Sequence, residues 1–367
     1  MTQDLTRASA AELSGLYAAR KASPVEVLEA VLDKAARLNL LYEEYWDASL
    51  QLNPLQATFQ GDPRYNDQLP NFFSAEYRAQ ARAFTERWLR TIESVGSEGL
   101  DGQDLLSYEI FVRDAKLSLE GERFPGWQQP INQFYNFAAM AVQLGSGTGA
   151  QPFKTVQDYD NWRKRGARMP ELFDQSIANS RVGMQSGVVQ PRALMVKVLP
   201  QLDALIKTKA EDTLFWAPIK NLPASFSEAD KARITAEYRQ MIEGELLPAY
   251  KRLRSFIKDE YMPKTRTSAG MAALPDGEAW YAFNARSSTT TDLTPAQIHQ
   301  IGLDEVARIH GEMRKVMVEV GFIDPRDPRF VATVDALEAT LADGPFMRRY
   351  EAPDDFGRPE TAGVGCS

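Results

Sequence analysis

Thr265–Gly321 reads TRTSAGMAALPDGEAWYAFNARSSTTTDLTPAQIHQIGLDEVARIHGEMRKVMVEVG, and this stretch decides the fold. Thr294, Pro295 and Gln297 form a helix-start signature. The threonine hydroxyl and the glutamine amide can each satisfy a free backbone N–H, and Pro295 stands where no N–H is needed. Leu293 and Ile298 occupy hydrophobic-staple positions. Ile298, Ile301, Val306, Ile309, Met313, Val316 and Val320 then recur at helical spacing, with Gly321 as a stop. A helix of about 25 residues is expected, roughly 37 Å long. Upstream lie a loop, a short aromatic run and a polar turn, with at most a minor hairpin in 260–290.

The same signals recur through the chain. Ser9 with Glu12, Ser23-Pro24 with Glu26, and Ser227 with Asp230 mark further helix starts. Helices are expected over 10–20, from Pro24 to about Leu52, and over 75–95, 102–119, 156–166, 170–186, 191–209 and 228–259. Pro248 should kink the last of them. Asn53–Pro70 reads as a loop from its proline, glycine and aspartate content. No segment alternates with period two, so the fold class is all-α, an elongated domain of long amphipathic helices.

Composition narrows the function classes. Hydrophobic residues make up 44% and charged residues 25%, enough for a sizeable core. A net charge of −8 argues against general nucleic-acid or anionic-membrane binding. The basic run Arg163, Lys164, Arg165 and Arg168 is read as a solvated helix face beside Asp158 and Asp160. A single cysteine, Cys366, leaves no intrachain disulfide. No membrane-length apolar run and no apolar leader are evident, which makes the expected location cytoplasmic.

The strings LPDGEAWYAF (Leu274–Phe283), TTTDLTPAQIHQIGLDEVARI (Thr289–Ile309), QLNPLQATFQGDPRYNDQLP (Gln51–Pro70) and PFKTVQDYDNWRKR (Pro152–Arg165) resemble the bacterial family DUF885 over about residues 39–321. Members of that family look like zinc metallopeptidases with an HExxPGH helix, and no such motif occurs here. Residues 4–39 resemble the opening helices of the amidase signature family. Residues 322–367 are similar to the C-terminal part of glucoamylase-like glycoside hydrolases. Three segments are therefore expected, 1–39, 40–321 and 322–367, from a natural fusion, a recombined or designed sequence, or a damaged reading frame.

Catalytic constellations are hard to place. Only His299 and His310 are present, eleven residues apart on the 295–320 helix, and about 16 Å separates them along its axis. They cannot chelate one ion together, and neither a metal nor a cofactor is expected. Glu351, Asp354, Asp355 and Glu360 read as solvated charges, and GSGTG at 145–149 lacks the GK[ST] ending of a phosphate loop. The remaining candidate is the polar turn of Tyr281, Arg286, Ser288, Thr289, Thr290 and Thr291, beside a helix N-terminus suited to an anion. A plainer reading has the threonines capping and Arg286 paired with Asp292.

Two functions follow as expectations. The chain is the helical substrate-groove half of a zinc-metallopeptidase-like hydrolase, incomplete for catalysis, taking a peptide or small carboxylate near Arg286. Alternatively it is a non-enzymatic scaffold that forms homo-oligomers through an exposed groove. A hydrolase using carboxylates alone is a third, weaker reading.

Overall fold

The computed structural model describes residues 9–19, 21, 23–134 and 136–320. Gly321, the 322–367 segment with Glu351, Asp354, Asp355, Glu360 and Cys366, and the side chain of Glu26 lie outside them. Every regular element among the described residues is helical: α1 Ala10–Ala18, α2 Pro24–Leu52, α3 Pro54–Phe59, α4 Ala75–Val95, α5 Gly102–Gly121, α6 Phe137–Gly145, α7 Val156–Gly166, α8 Met169–Ser186, α9 Arg192–Leu205, α10 Ala217–Lys220, α11 Glu228–Gln240, α12 Leu247–Ser255, α13 Gly277–Thr289 and α14 Pro295–Glu319. The protein is all-α. The chain divides into two compact units, one of residues up to Val182 with Leu199–Asp259, the other of Gly183–Val198 with the chain from Glu260 onward.

In the first unit, α2, α4 and α5 close a core around Leu38, Ile92, Val95 and Leu100, flanked by Tyr42, Leu105, Tyr108 and Phe111. A larger aromatic core is built from Tyr159, Trp162, Phe173, Phe215, Tyr238 and Tyr250, all buried. Its hydroxyls are partnered. Tyr159 donates to the Pro218 carbonyl at 3.0 Å, Tyr238 to that of Tyr159 at 3.0 Å, and Tyr250 to that of Ala138 at 2.6 Å. Such bonds let an aromatic hydroxyl enter a core without an orphaned polar atom.

Pro248, expected to kink the 228–259 helix, is accommodated through a specific device. Met241–Leu246 immediately before it is a π-helical turn, which joins α11 to α12. A proline has no N–H to offer and its ring collides with the carbonyl four residues back, here Gly244. A wider turn removes that collision without ending the helix. A second π-helical turn, Phe256–Tyr261, precedes Pro263 in the same way.

In the second unit the expected hairpin is absent. The 260–290 stretch contains two short 3-10 turns and α13, and Arg266 makes an isolated parallel bridge to Pro191. The Arg192 N–H donates to the Arg266 carbonyl at 2.8 Å, and the Arg266 N–H to that of Gln190 at 3.2 Å. The Arg266 guanidinium ties the loop by donating to the carbonyls of Val189, Ser268 and Gly270. GEAWYAFNARSST is helical because nothing in it breaks a helix, and Pro275 and left-handed Asp276 (φ 52°) launch it. The capping box of α14 is formed as expected. The Gln297 N–H donates to the Thr294 hydroxyl at 3.2 Å, and the Thr294 N–H to the Gln297 amide oxygen at 2.8 Å.

Candidate functional site

The residues singled out from sequence belong to the second unit, but they do not share a turn. Tyr281, Arg286, Ser288 and Thr289 lie on α13, and only Thr290 and Thr291 belong to the turn before α14. The polar turn is thus largely a helix end. Thr290 adopts a left-handed conformation (φ 58°) and its N–H caps the Arg286 carbonyl at 3.0 Å. The Thr289 hydroxyl donates to the Ala285 carbonyl at 2.8 Å and meets the Thr291 hydroxyl at 3.0 Å. The Arg286 guanidinium stacks on Phe283 at 5.8 Å, and Tyr281 is half exposed. These groups sit close to the N-terminus of α14, with much of their hydrogen bonding turned inward to cap α13.

The first unit holds a cleft that the sequence did not disclose. Two adjoining hollows of about 400 and 500 Å³ share Gln51, Leu52, Gln68 and Gln80, and their rims add Arg87, Lys164 and Arg168. Among the described residues the side-chain amides of the three glutamines have no hydrogen-bond partner. Against three cations stands one lining carboxylate, Asp67, which pairs with Lys164 at 3.2 Å. Arg168 pairs with Glu171 at 2.7 Å, and Arg87 lies over the rings of Trp88 and Phe84.

What positions this cleft is Arg165, and here the sequence reading is corrected. Arg165 is fully buried rather than solvated. Its guanidinium donates to the carbonyls of Gln68 and Tyr65 at 3.0 and 2.8 Å, to the Thr58 hydroxyl at 3.0 Å, and to the Gln151 amide oxygen. Burial pushes its pKa down to about 10, so it keeps its charge at neutral pH. Asp158 and Asp160 are not its partners. Asp158 caps α7 through Thr155 and Asp160 binds Arg233 at 2.8 Å. A sequence signal existed, since Arg165 stands three residues after Trp162 and six after Tyr159, on the apolar face of α7. The clasp holds the 54–70 segment, and with it Asp67 and Gln68, against α7.

His299 and His310 both lie on α14, the first exposed. Among the described residues no three His, Cys, Asp or Glu side chains are grouped so as to hold one metal ion. GSGTG begins on Gly145, the last residue of α6, and the Ser146 hydroxyl is spent on the Gln143 carbonyl and Thr148.

Comparison with known proteins places the chain. The family model for DUF885, a bacterial protein of unknown function, matches residues 54–355. The chain belongs to the DUF885 family. That match takes in the 54–70 segment, Gln68, Gln80 and Arg165 of the cleft region, and α14, and continues past Gly321; Gln51 and Leu52 of the cleft precede it. No curated protein matches. A solved structure, "the putative lipoprotein from Colwellia psychrerythraea", is similar at 20% identity with a TM-score of 0.65, over 81% of this chain and 55% of that one. The DUF885 chain described here therefore spans about half the length of that structure, and the likeness is one of fold. Among the described residues no helix is long and apolar enough to cross a membrane.

Proposed function

We propose that this chain is the substrate-groove part of a zinc-metallopeptidase-like hydrolase, incomplete for catalysis by itself, and that it binds peptide in the Gln51–Gln68–Gln80 cleft. The supporting observation is the cleft's inventory. Three unpaired amides can each donate to and accept from a peptide backbone, and the excess of cations suits a terminal carboxylate. Zinc, implied by the family resemblance, is not fitted by the described residues, which offer no grouped donor set. No hydrolytic step is assigned to the cleft.

The test is calorimetric titration with trialanine and with its C-terminal amide. The free acid is expected to bind about fivefold more tightly. Lys164→Ala with Arg168→Ala should weaken the acid about fivefold, to the level of the amide, equivalent to about 1 kcal/mol, and leave the amide unchanged. Equal binding of acid and amide would sink the reading. Loss on Arg286→Ala alone would move the carboxylate to the turn before α14, where the Tyr281, Arg286 and Thr289–Thr291 groups lie.

A specific observation favours a second reading, the self-associating scaffold. On α14, Ile301, Val306, Ile309, Met313 and Val316 are each 46–57% exposed, although they form the stripe that an amphipathic helix normally buries. Sedimentation velocity should show concentration-dependent dimerisation, and Ile309→Lys with Val316→Lys should raise the dissociation constant at least about tenfold. A wild-type chain that stays monomeric at all concentrations counts against the scaffold.

A further inference from the structure

The two ends of the polar cleft differ in chemistry. Lys164 and Arg168 line only the first hollow, and each already holds a carboxylate, Asp67 and Glu171 respectively. Arg87 lines only the second hollow, of about 500 Å³, and no aspartate or glutamate lines it. Among the described residues the Arg87 guanidinium has no carboxylate partner, and the adjacent Glu86 is engaged by Arg82 at 3.0 Å and Arg90 at 4.0 Å. Arg87 is held instead over the rings of Trp88 and Phe84, at 5.2 and 5.6 Å. Stacking uses the face of a guanidinium and leaves the N–H groups on its edge able to donate. A lone surface cation is ordinary, so the position of Arg87 is what distinguishes it. Gln80, Ala83, Phe84 and Arg87 are spaced i, i+3, i+4 and i+7 on α4 and share one face, while α2 contributes Ala48 and Leu52 to the same hollow. The small side chains of Ala48 and Ala83 leave a channel open from the shared glutamines to Arg87. Seven residues of helix put Arg87 about 10 Å from Gln80.

We propose that the second hollow is an acidic subsite, in which Arg87 binds the side-chain carboxylate of a glutamate two residues before the C-terminus of a peptide. This rests on the peptide-binding reading of the cleft and names its substrate class. The terminal carboxylate lies by Lys164 and Arg168. The peptide backbone meets the amides of Gln51, Gln68 and Gln80, which both hollows share, and the chain runs on toward Arg87. An extended chain advances about 3.3–3.6 Å per residue, so two residues cover about 7 Å and the glutamate side chain supplies the remainder. The guanidinium edge can take both carboxylate oxygens at once, which a neutral glutamine of the same shape does not reproduce.

The probes are N-acetyl-Glu-Ala-Ala and N-acetyl-Gln-Ala-Ala, equal in shape and different by one charge, titrated calorimetrically into the full chain at low salt. The glutamate peptide is expected to bind about three- to fivefold more tightly. N-acetyl-Ala-Glu-Ala, whose acid falls short of Arg87, should show no such gain over N-acetyl-Ala-Gln-Ala. Arg87→Gln should bring the Glu-to-Gln affinity ratio to about one. Arg87→Glu should reverse the preference, so that N-acetyl-Lys-Ala-Ala binds more tightly than N-acetyl-Glu-Ala-Ala. Arg87 is exposed, so neither variant disturbs the core. A ratio near one in the wild-type chain overturns the proposal, as does a ratio that survives Arg87→Gln or an equal gain from N-acetyl-Ala-Glu-Ala. Trialanine tells the two levels apart. If it still binds more tightly than its amide, only the acidic subsite has failed; if acid and amide bind equally, the peptide reading falls and the subsite with it.

Discussion

Replacing Arg165 by methionine should lower the stability of the first unit by about 3–5 kcal/mol, since it leaves several buried neutral acceptors without their donor. Four acceptors lose their donor at once, namely the carbonyls of Tyr65 and Gln68, the Thr58 hydroxyl and the Gln151 amide oxygen. Each stranded acceptor costs about 1–3 kcal/mol, while the charge that no longer has to be desolvated gives part of this back. The balance stays unfavourable because no water reaches a site with zero exposure. For a cooperative unit of this size the thermal midpoint should fall by about 8 °C. Trialanine binding in the cleft should weaken as well, because the same guanidinium fixes Gln68. Arg168→Met, which breaks only an exposed pair with Glu171, should move the midpoint by no more than about 1–2 °C. Similar shifts for the two variants would refute the clasp.

Gly145→Ala should also destabilise the first unit. Gly145 ends α6 against the rings of Trp162 and Phe215, and an added methyl group would collide with Trp162 and stand 2.6 Å from Phe215. Helix propensity alone favours alanine over glycine by about 1 kcal/mol. Overpacking a rigid core costs about 1–3 kcal/mol or more, and neither ring can yield, with exposures of 0% and 3%. The clash wins, and net destabilisation of about 1–2 kcal/mol is expected in urea unfolding. Gly302→Ala and Gly311→Ala on α14 provide the contrast. Nothing lies within 4 Å of the added methyl group at either position, so both should stabilise slightly. If Gly145→Ala also stabilised the chain, the packing described around Trp162 would be wrong.

These two residues show where sequence reasoning stopped. The helices were legible because their signals are local. Thr294, Ser9 and Ser227 each accept the backbone N–H three residues on, and the apolar positions repeat at helical spacing. The GEAWYAF helix was missed because a short aromatic run fits strand or helix equally until its neighbours are known. Arg165 was misread because Arg163, Lys164 and Arg168 around it are surface cations paired to Glu245, Asp67 and Glu171. One-dimensional charge density does not say which member of a basic run turns inward. The polar cleft was invisible for a related reason, since Gln51, Gln68, Gln80 and Lys164 come from four separate parts of the chain.

The sequence by itself determined the all-α class, most helix boundaries, the capping box and length of α14, and membership of the DUF885 family. All of these depend on interactions within a few residues or on matching words along the chain. Only the tertiary structure decided that Arg165 is a buried clasp, that Pro248 is accommodated by a π-helical turn, and that the α14 stripe is exposed. Burial and hydrogen-bond satisfaction are properties of groups brought together from distant positions, and they exist only once the chain has folded.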